Sequence, residues 1–218
     1  MERSREDPKW PEGGQQAGES PAERAMRGEL EYHHGGPWRC RCNKCKELVT
    51  AYAEFIRRFE PFEWFINAMT FEDVIHPEQA DRRYRRFLDA VNESLFGRRW
   101  RKRGQGVYSI RATEYQRRKV LHYHALAGGG VYKLRRKEWE QRWQAQDEGN
   151  GFLRIYPYDP TMGGTLYIAK YVSKGGEVDL FLPRWLNKKL QRELSQEGLA
   201  GVVEDPVLTA YLRRRAAA

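Results

Sequence analysis

The amino-acid sequence predicts an α+β fold in which an antiparallel β-sheet is flanked by helices. Three observations predict it: short apolar or alternating runs, longer runs with apolar residues every three or four positions, and two strand-like runs separated by a short polar turn. Such a turn makes a hairpin, and a hairpin combined with helical connections favours an antiparallel sheet covered by helices. The length of 218 residues suits one domain with appendages.

The elements follow one another as strand, helix, two strands, helix, strand and helix. The first strand is an aromatic run after Pro61, and the helix that follows it begins at Pro77 and has one apolar face. The predicted strands span residues 62–71, 107–115, 120–127 and 151–158, and the predicted helices span residues 46–59, 77–96, 133–146, 165–174 and 184–197, with a weaker helix near 206–215. This order resembles the split β-α-β pattern of ferredoxin-like folds.

Composition divides the chain into four segments. Residues 1–29 are rich in Glu, Arg, Gly, Pro and Ser without an apolar period, so we predict a disordered tail. Residues 30–60 hold a cluster of His and Cys followed by a helix. Residues 61–182 form the predicted core, and residues 183–218 form a C-terminal helical extension.

The net charge of the chain is +9, and it is unevenly distributed. Residues 1–29 carry five basic and seven acidic side chains, so the remainder carries +11. A basic body of this size suits a polyanionic partner, usually nucleic acid, although basic runs also occur as solvated faces. The candidates for contacts with a DNA backbone are Arg101, Arg117, Arg118, Lys119, Arg135 and Arg136.

The chain shows no sign of membrane insertion or export. It contains no apolar run of about 18 residues, and its N-terminus has no apolar segment typical of a secretory signal. We therefore expect no membrane partner and a cytoplasmic location.

The three cysteines of the chain all fall within six residues, which argues against a disulfide framework. Zn²⁺ prefers four nitrogen or sulfur ligands in a tetrahedron, so three thiols and one imidazole would suffice. Reduced cysteines in a loop are the alternative, and which histidine completes the set stays open. The candidate zinc ligands are Cys40, Cys42 and Cys45 together with His33 or His34.

A second candidate metal site lies in the predicted hairpin. His122 and His124 alternate along one strand and so point to the same face, where two imidazoles can share one ion. If the turn is centred on Arg118, Glu114 lies opposite His122 and adds a carboxylate that suits Mn²⁺ or Mg²⁺. The alternative is that Glu114 pairs with Arg111 or with Arg117 on a solvated face.

A candidate nucleophile follows in the run YIAKYVSK. On a helix, Tyr167 and Tyr171 lie one above the other, and Lys170 and Lys174 repeat this spacing on an adjacent face. A tyrosine hydroxyl is a weak nucleophile at neutral pH, and a nearby ammonium group favours its ionised form. Lysines also hold phosphates. A core helix with aromatic packing and solvated lysines is the alternative interpretation.

The order of these motifs resembles that of the HUH endonuclease superfamily. The chain has a first strand that ends in Thr70-Phe71, then the His122-Tyr123-His124 motif, then the tyrosine motif. The run YIAKYVSK is similar to the two-tyrosine motif of the gene A-type initiators of small single-stranded-DNA phages and of related plasmid Rep proteins. The resemblance covers residues 62–176 and implies the ferredoxin-like, RRM-like fold of HUH nucleases.

The resemblance implies a rolling-circle replication initiator that nicks and rejoins single-stranded DNA at an origin or hairpin in the host cytoplasm. Glu114, His122 and His124 would hold the divalent metal, and Tyr167 or Tyr171 would form a 5′-phosphotyrosine. Lys170 and Lys174 would support the phosphate or the phenolate. An HUH transposase or relaxase, or a non-catalytic zinc-containing DNA-binding module, are the alternatives. Because the chain has no P-loop motif, a separate helicase would supply unwinding.

Overall fold

The structure is a computed structural model that describes residues 42–115, 120–174 and 176–196. Its strands are β1 (Trp64–Phe71), β2 (Tyr108–Tyr115), β3 (Leu121–Gly128), β4 (Asn150–Pro157) and β5 (Val178–Phe181), and its α-helices are α1 (Asn43–Arg57), α2 (Pro77–Phe96), α3 (Arg136–Gln146), α4 (Gly164–Ala169) and α5 (Arg184–Gln196). The strands form one antiparallel sheet in the order β4-β1-β3-β2-β5. The predicted α+β class is confirmed.

The segment from β1 to β4 has the β-α-β-β-α-β order of a ferredoxin-like arrangement. β5 is an additional strand that pairs with β2, and the sequence analysis missed it. It has only four residues, and all of them are half-buried. So short a run without a sharp contrast between its two faces gives too little periodicity to distinguish a strand from a loop.

The two faces of the sheet are covered by different helices. Trp139 and Trp143 of α3 and Tyr84 and Phe87 of α2 are buried against one face. Helices α1, α4 and α5 pack on the other face, where they meet side chains of β2 and β3 such as Leu126. The candidate functional residues described below lie on this second face.

A buried arginine joins the edge of the sheet to α2. Arg111 of β2 is 4% exposed, and its Nη2 atom lies 2.9 Å from Asp81 Oδ1 and 2.7 Å from Asp179 Oδ2. Its guanidinium also lies 4.1 Å from the ring centroid of Tyr123, and the rings of Tyr84 and Phe181 are within 5.0 Å. Because a buried charge is tolerated only when it is paired, this cluster is expected to be sensitive to substitution.

We expect Arg111→Met to lower the free energy of unfolding by about 3 kcal/mol, since it leaves Asp81 and Asp179 without their shared buried cation. Urea denaturation followed by circular dichroism measures the loss. Arg85→Met is the matched control, because Arg85 also pairs with Asp81 but is 61% exposed at its side chain. Its loss should stay below about 1 kcal/mol. Equal losses in the two variants would contradict the prediction.

Some sequence predictions fall outside the described residues. They are the disordered tail, the weak helix near 206–215, the ligand candidates Cys40, His33 and His34, and the hairpin turn with Arg117, Arg118 and Lys119. These stay predictions. Among the described helices, none is long and apolar enough to cross a membrane.

Candidate active site

The hairpin of β2 and β3 brings a carboxylate next to two imidazoles. Glu114 pairs with His122 and Ala112 pairs with His124, so the register expected from a turn centred on Arg118 is confirmed. Arg111 points to the opposite face and binds Asp81 and Asp179, so the alternative pairing of Glu114 with Arg111 is wrong.

A β-bulge in β1 faces the second histidine. Ile66 pairs with Ala125 and Met69 pairs with Tyr123, so two residues of β1, Asn67 and Ala68, oppose the single residue His124. The backbone of Asn67 hydrogen-bonds to the His124 ring. Bulges re-aim side chains and are common beside active sites, and a metal-binding imidazole usually has a hydrogen-bond partner on its other nitrogen. The bulge therefore orients His124 from outside the ligand set.

Glu114, His122 and His124 together can hold a metal ion. One potential ligand atom from each residue lies within 4.8 Å of the other two. The two imidazole rings are 4.5 Å apart, and His124 Nε2 lies 3.4 Å from Glu114 Oε2. Two imidazoles and one carboxylate form a donor set that suits a divalent transition metal such as Mn²⁺ and leaves coordination positions for a substrate oxygen.

The electrostatics of the site keep Glu114 ionised and His124 neutral, as metal ligands must be. Burial raises the pKa of Glu114, but hydrogen bonds from His124 and Lys174 outweigh it and lower the pKa to about 2. Burial also lowers the pKa of His124, against the opposing effect of Glu114. Lys174 Nζ lies 2.6 Å from Glu114 Oε1, so a positive charge already neutralises this carboxylate.

The tyrosine segment is not one continuous helix. The prediction of a helix over residues 165–174 is right only for its first half, because α4 ends at Ala169 and a 3₁₀ turn covers Val172–Lys174. The Tyr171 amide donates to Ile168, three residues back, and the Ser173 hydroxyl donates to the Lys170 carbonyl. These bonds tighten the last turn.

The two tyrosines nevertheless remain neighbours, as the spacing predicted. The Tyr171 hydroxyl donates a hydrogen bond to the Tyr167 oxygen over 3.1 Å. Tyr171 is only 2% exposed, and its ring stacks on His124 at 4.4 Å. Tyr167 is half-buried, and its ring contacts both His124 and Phe65 edge to face. Tyr167 is therefore the more accessible hydroxyl beside the candidate metal ligands.

The surroundings of the two phenols also differ electrostatically. Burial raises the pKa of Tyr167, while the hydrogen bond from Tyr171 lowers it. Burial raises the pKa of Tyr171 much further, and the same hydrogen bond adds to that rise. Lys170 Nζ lies 3.3 Å from the Tyr167 ring centroid, and Lys174 Nζ lies 4.9 Å from that of Tyr171. Tyr167 is the easier of the two to ionise.

A glycine lets the tyrosine segment approach the sheet. The Gly176 amide donates to the Tyr171 carbonyl at 2.9 Å. A Cβ atom at this position would collide with the carbonyl oxygen of Thr113, the residue before Glu114. Any larger residue would therefore push the segment away from β2. The sequence analysis used this glycine only as a helix boundary.

The structure separates the other candidate DNA contacts from this site. Arg101 binds Asp89 in the segment that precedes β2, whereas Glu114 is at the other end of that strand. Arg135 and Arg136 follow the end of β3 that is remote from His122 and His124. Contacts of these arginines with DNA stay predictions, but they would be distant from the two histidines.

The described part of the cysteine cluster lies at the start of α1. Cys42 is the N-cap residue, and its Sγ atom accepts a hydrogen bond from the Cys45 amide at 3.4 Å. Cys45 is buried. Zinc binding by this cluster stays a prediction, since the remaining candidate ligands are outside the described residues.

Comparison with known proteins identifies the family. A family model described as Replication-associated protein ORF2/gene II protein matches residues 64–176, which is more than half of the chain. This chain belongs to that family. The match begins at the first residue of β1 and ends at Gly176, so it includes the three candidate metal ligands, both tyrosines and both lysines.

Family membership supports a role in the initiation of replication, and it favours DNA as the partner. No curated protein and no solved structure matched the chain. The particular chemistry therefore has to be argued from the site itself.

Proposed function

We propose that this protein is an HUH-type replication initiator that nicks and rejoins single-stranded DNA through a tyrosine. The observation that carries the proposal is the position of the Tyr167 ring against His124, whose ligand atom lies within 4.8 Å of those of Glu114 and His122. A nucleophile beside such a ligand set on a replication-associated fold supports phosphoryl transfer better than passive DNA binding.

The chain's own groups have distinct parts in the proposed reaction. Tyr167 attacks the scissile phosphorus through its phenolic oxygen, a tyrosine–phosphorus bond forms, and the bond to the 3′ oxygen breaks. Tyr171 hydrogen-bonds to the attacking oxygen, and Lys170 supplies positive charge beside it. The leaving strand keeps its 3′-hydroxyl after taking up a proton, so the reverse attack rejoins the strand.

A divalent ion held by Glu114, His122 and His124 would polarise the phosphate and neutralise developing charge. Lys174 holds the Glu114 carboxylate by an ion pair that such an ion would have to share or replace. The lysine thereby prevents the carboxylate from remaining an unpaired partly buried charge.

An SDS-resistant adduct tests the proposal. We expect the full chain with Mn²⁺ to capture covalently a fraction of a random-sequence pool of single-stranded oligonucleotides. Because the tyrosine retains the 5′-phosphate of the downstream fragment, a 3′-terminal label should enter the protein band and a 5′-terminal label should not. Sequencing of the captured DNA would identify the cleavage site.

The matched controls are a chelator in place of Mn²⁺ and a double-stranded pool of the same sequences, and both should give no adduct. DNA binding without an adduct in any divalent metal would overturn the nuclease proposal and favour the non-catalytic DNA-binding module. An adduct that retains the 5′ label instead would contradict the proposed polarity.

A further inference from the structure

An alternating aromatic and basic strip runs along β4, outside the residues discussed so far. Leu153 and Ile155 point into the core under α2 and α3. Phe152, Arg154 and Tyr156 point to the other face, and the two rings are 44% and 49% exposed. The Arg154 guanidinium lies 5.4 Å from the Phe152 ring. Two aromatic faces with a cation between them are therefore presented to solvent.

The strip runs parallel to the candidate active site across one strand. Tyr156 pairs with Phe65, whose ring contacts Tyr167 at 5.2 Å. Arg154 pairs with Ala68, which belongs to the bulge opposite His124.

The far end of the strip is aligned in the same way. The Phe152 carbonyl accepts a hydrogen bond from Thr70, and Thr70 pairs with His122. Two strand spacings correspond to about 10 Å, so the strip lies within one or two nucleotides of the histidines along its whole length.

We infer that this strip is a stacking platform that holds the single-stranded DNA next to the phosphate to be cut. The inference rests on the proposed function. Residues four apart on a strand are about 13 Å apart, well beyond the 3.4 Å step of stacked bases in a duplex, so Phe152 and Tyr156 would stack separate bases of an extended strand. Arg154 would contact a phosphate between them. Aromatic rings tolerate any base, which suits positioning rather than sequence reading.

The structure favours this occupant over an added protein strand. β4 is at the edge of the sheet, where a partner strand could pair in principle. However, Glu140 of α3 accepts a hydrogen bond from the Ile155 amide at 2.9 Å, and this carboxylate also lies 3.8 Å from Arg154 Nη1. The edge amide is thus already used. A face of two rings around a cation, in a chain of net charge +9, is complementary to bases and phosphates.

The test uses the full chain, a fluorescent oligo-dT of about 20 nucleotides and fluorescence anisotropy at fixed salt without added divalent metal. Phe152→Leu and Tyr156→Leu should each weaken binding roughly 5- to 100-fold. Phe152→Trp and Tyr156→Phe keep an aromatic face and should bind within about twofold of the unmodified protein. Tyr132→Leu, at a ring 67% exposed in the turn before α3, is the matched control and should not change the affinity.

Arg154→Gln adds a second readout. Losing one phosphate contact should reduce the slope of log affinity on log salt by about 0.7. Leucine variants that bind oligo-dT like the unmodified protein would overturn the inference, and so would Trp and Phe variants as weak as the leucine ones. Equal losses in duplex binding would also overturn it. A self-association that only the leucine variants abolish, at unchanged oligo-dT affinity, would assign the strip to a second copy instead.

This test is independent of the nicking assay because it needs neither metal nor a reactive tyrosine. Leucine variants with full oligo-dT affinity, in a protein that still forms the covalent adduct, would refute the platform and leave the nuclease proposal intact. Weakened binding in a protein that never forms an adduct would refute the nuclease and leave the platform intact.

Discussion

Tyr167→Phe is expected to lower the formation of the covalent DNA adduct by roughly 10³-fold or more, because it removes the attacking oxygen while preserving the ring packing. The Tyr167 ring contacts Phe65 and His124 edge to face, and phenylalanine keeps both contacts. Quantifying the adduct with 3′-labelled DNA on denaturing gels checks the loss. A near-normal thermal unfolding midpoint would show that the variant is folded.

Tyr171→Phe is the matched control, since it removes the other hydroxyl of the same hydrogen bond. We expect a smaller loss of about 10-fold, the size of one hydrogen bond. The hydrogen bond from Tyr171 lowers the pKa of Tyr167, so its loss raises that pKa.

The pH dependence gives a separate readout of the same substitution. The phenolate fraction at a given pH then falls, and the rising limb of the pH–rate profile moves to higher pH. Equal losses in the Tyr167→Phe and Tyr171→Phe variants would contradict this order of use. Full activity in both would show that the hydroxyls are exchangeable.

His124→Ala is expected to remove Mn²⁺ binding and to reduce adduct formation by about 10³-fold. His124 is 3% exposed and lies between Glu114, His122 and the Tyr171 ring, so one substitution takes a ligand from the centre of the site. A metal at the phosphate contributes several kcal/mol of charge stabilisation, which corresponds to this factor. Isothermal titration with Mn²⁺ measures the binding separately from activity.

His76→Ala is the matched control, because His76 is a histidine at the N-cap of α2, away from the ligand set. It should bind Mn²⁺ and form adducts like the unmodified protein. Glu114→Gln should also weaken Mn²⁺ binding, since the amide keeps the shape but loses the charge. Mn²⁺ binding that persists in the His124→Ala variant would contradict the assignment of these three ligands.

Much of the scaffold could be predicted because its signals are local. Pro77 at the first position of α2 and Gly97 just after its end mark that helix within the sequence. The hairpin register followed from counting outward from the turn, which placed Glu114 opposite His122. Side-chain alternation on a strand then put His122 and His124 on the same face.

Other features depend on contacts between distant segments. The bulge at Asn67 and Ala68 exists only where β1 meets β3 and β4, and no residue pattern within β1 marks it. The tyrosine segment departs from a regular helix because it packs against β2, where Gly176 closely approaches Thr113.

The sequence by itself determined that this chain has paired imidazoles, an opposing carboxylate and two tyrosines in a ferredoxin-like order of elements. Periodicity and turn length are properties of neighbouring residues, so they can be read without a fold. Only the tertiary structure decided that Tyr171 is buried on His124 while Tyr167 is accessible, and that Phe152 and Tyr156 face the candidate site. Burial and hydrogen-bond direction depend on which distant segments pack together, and no local pattern encodes them.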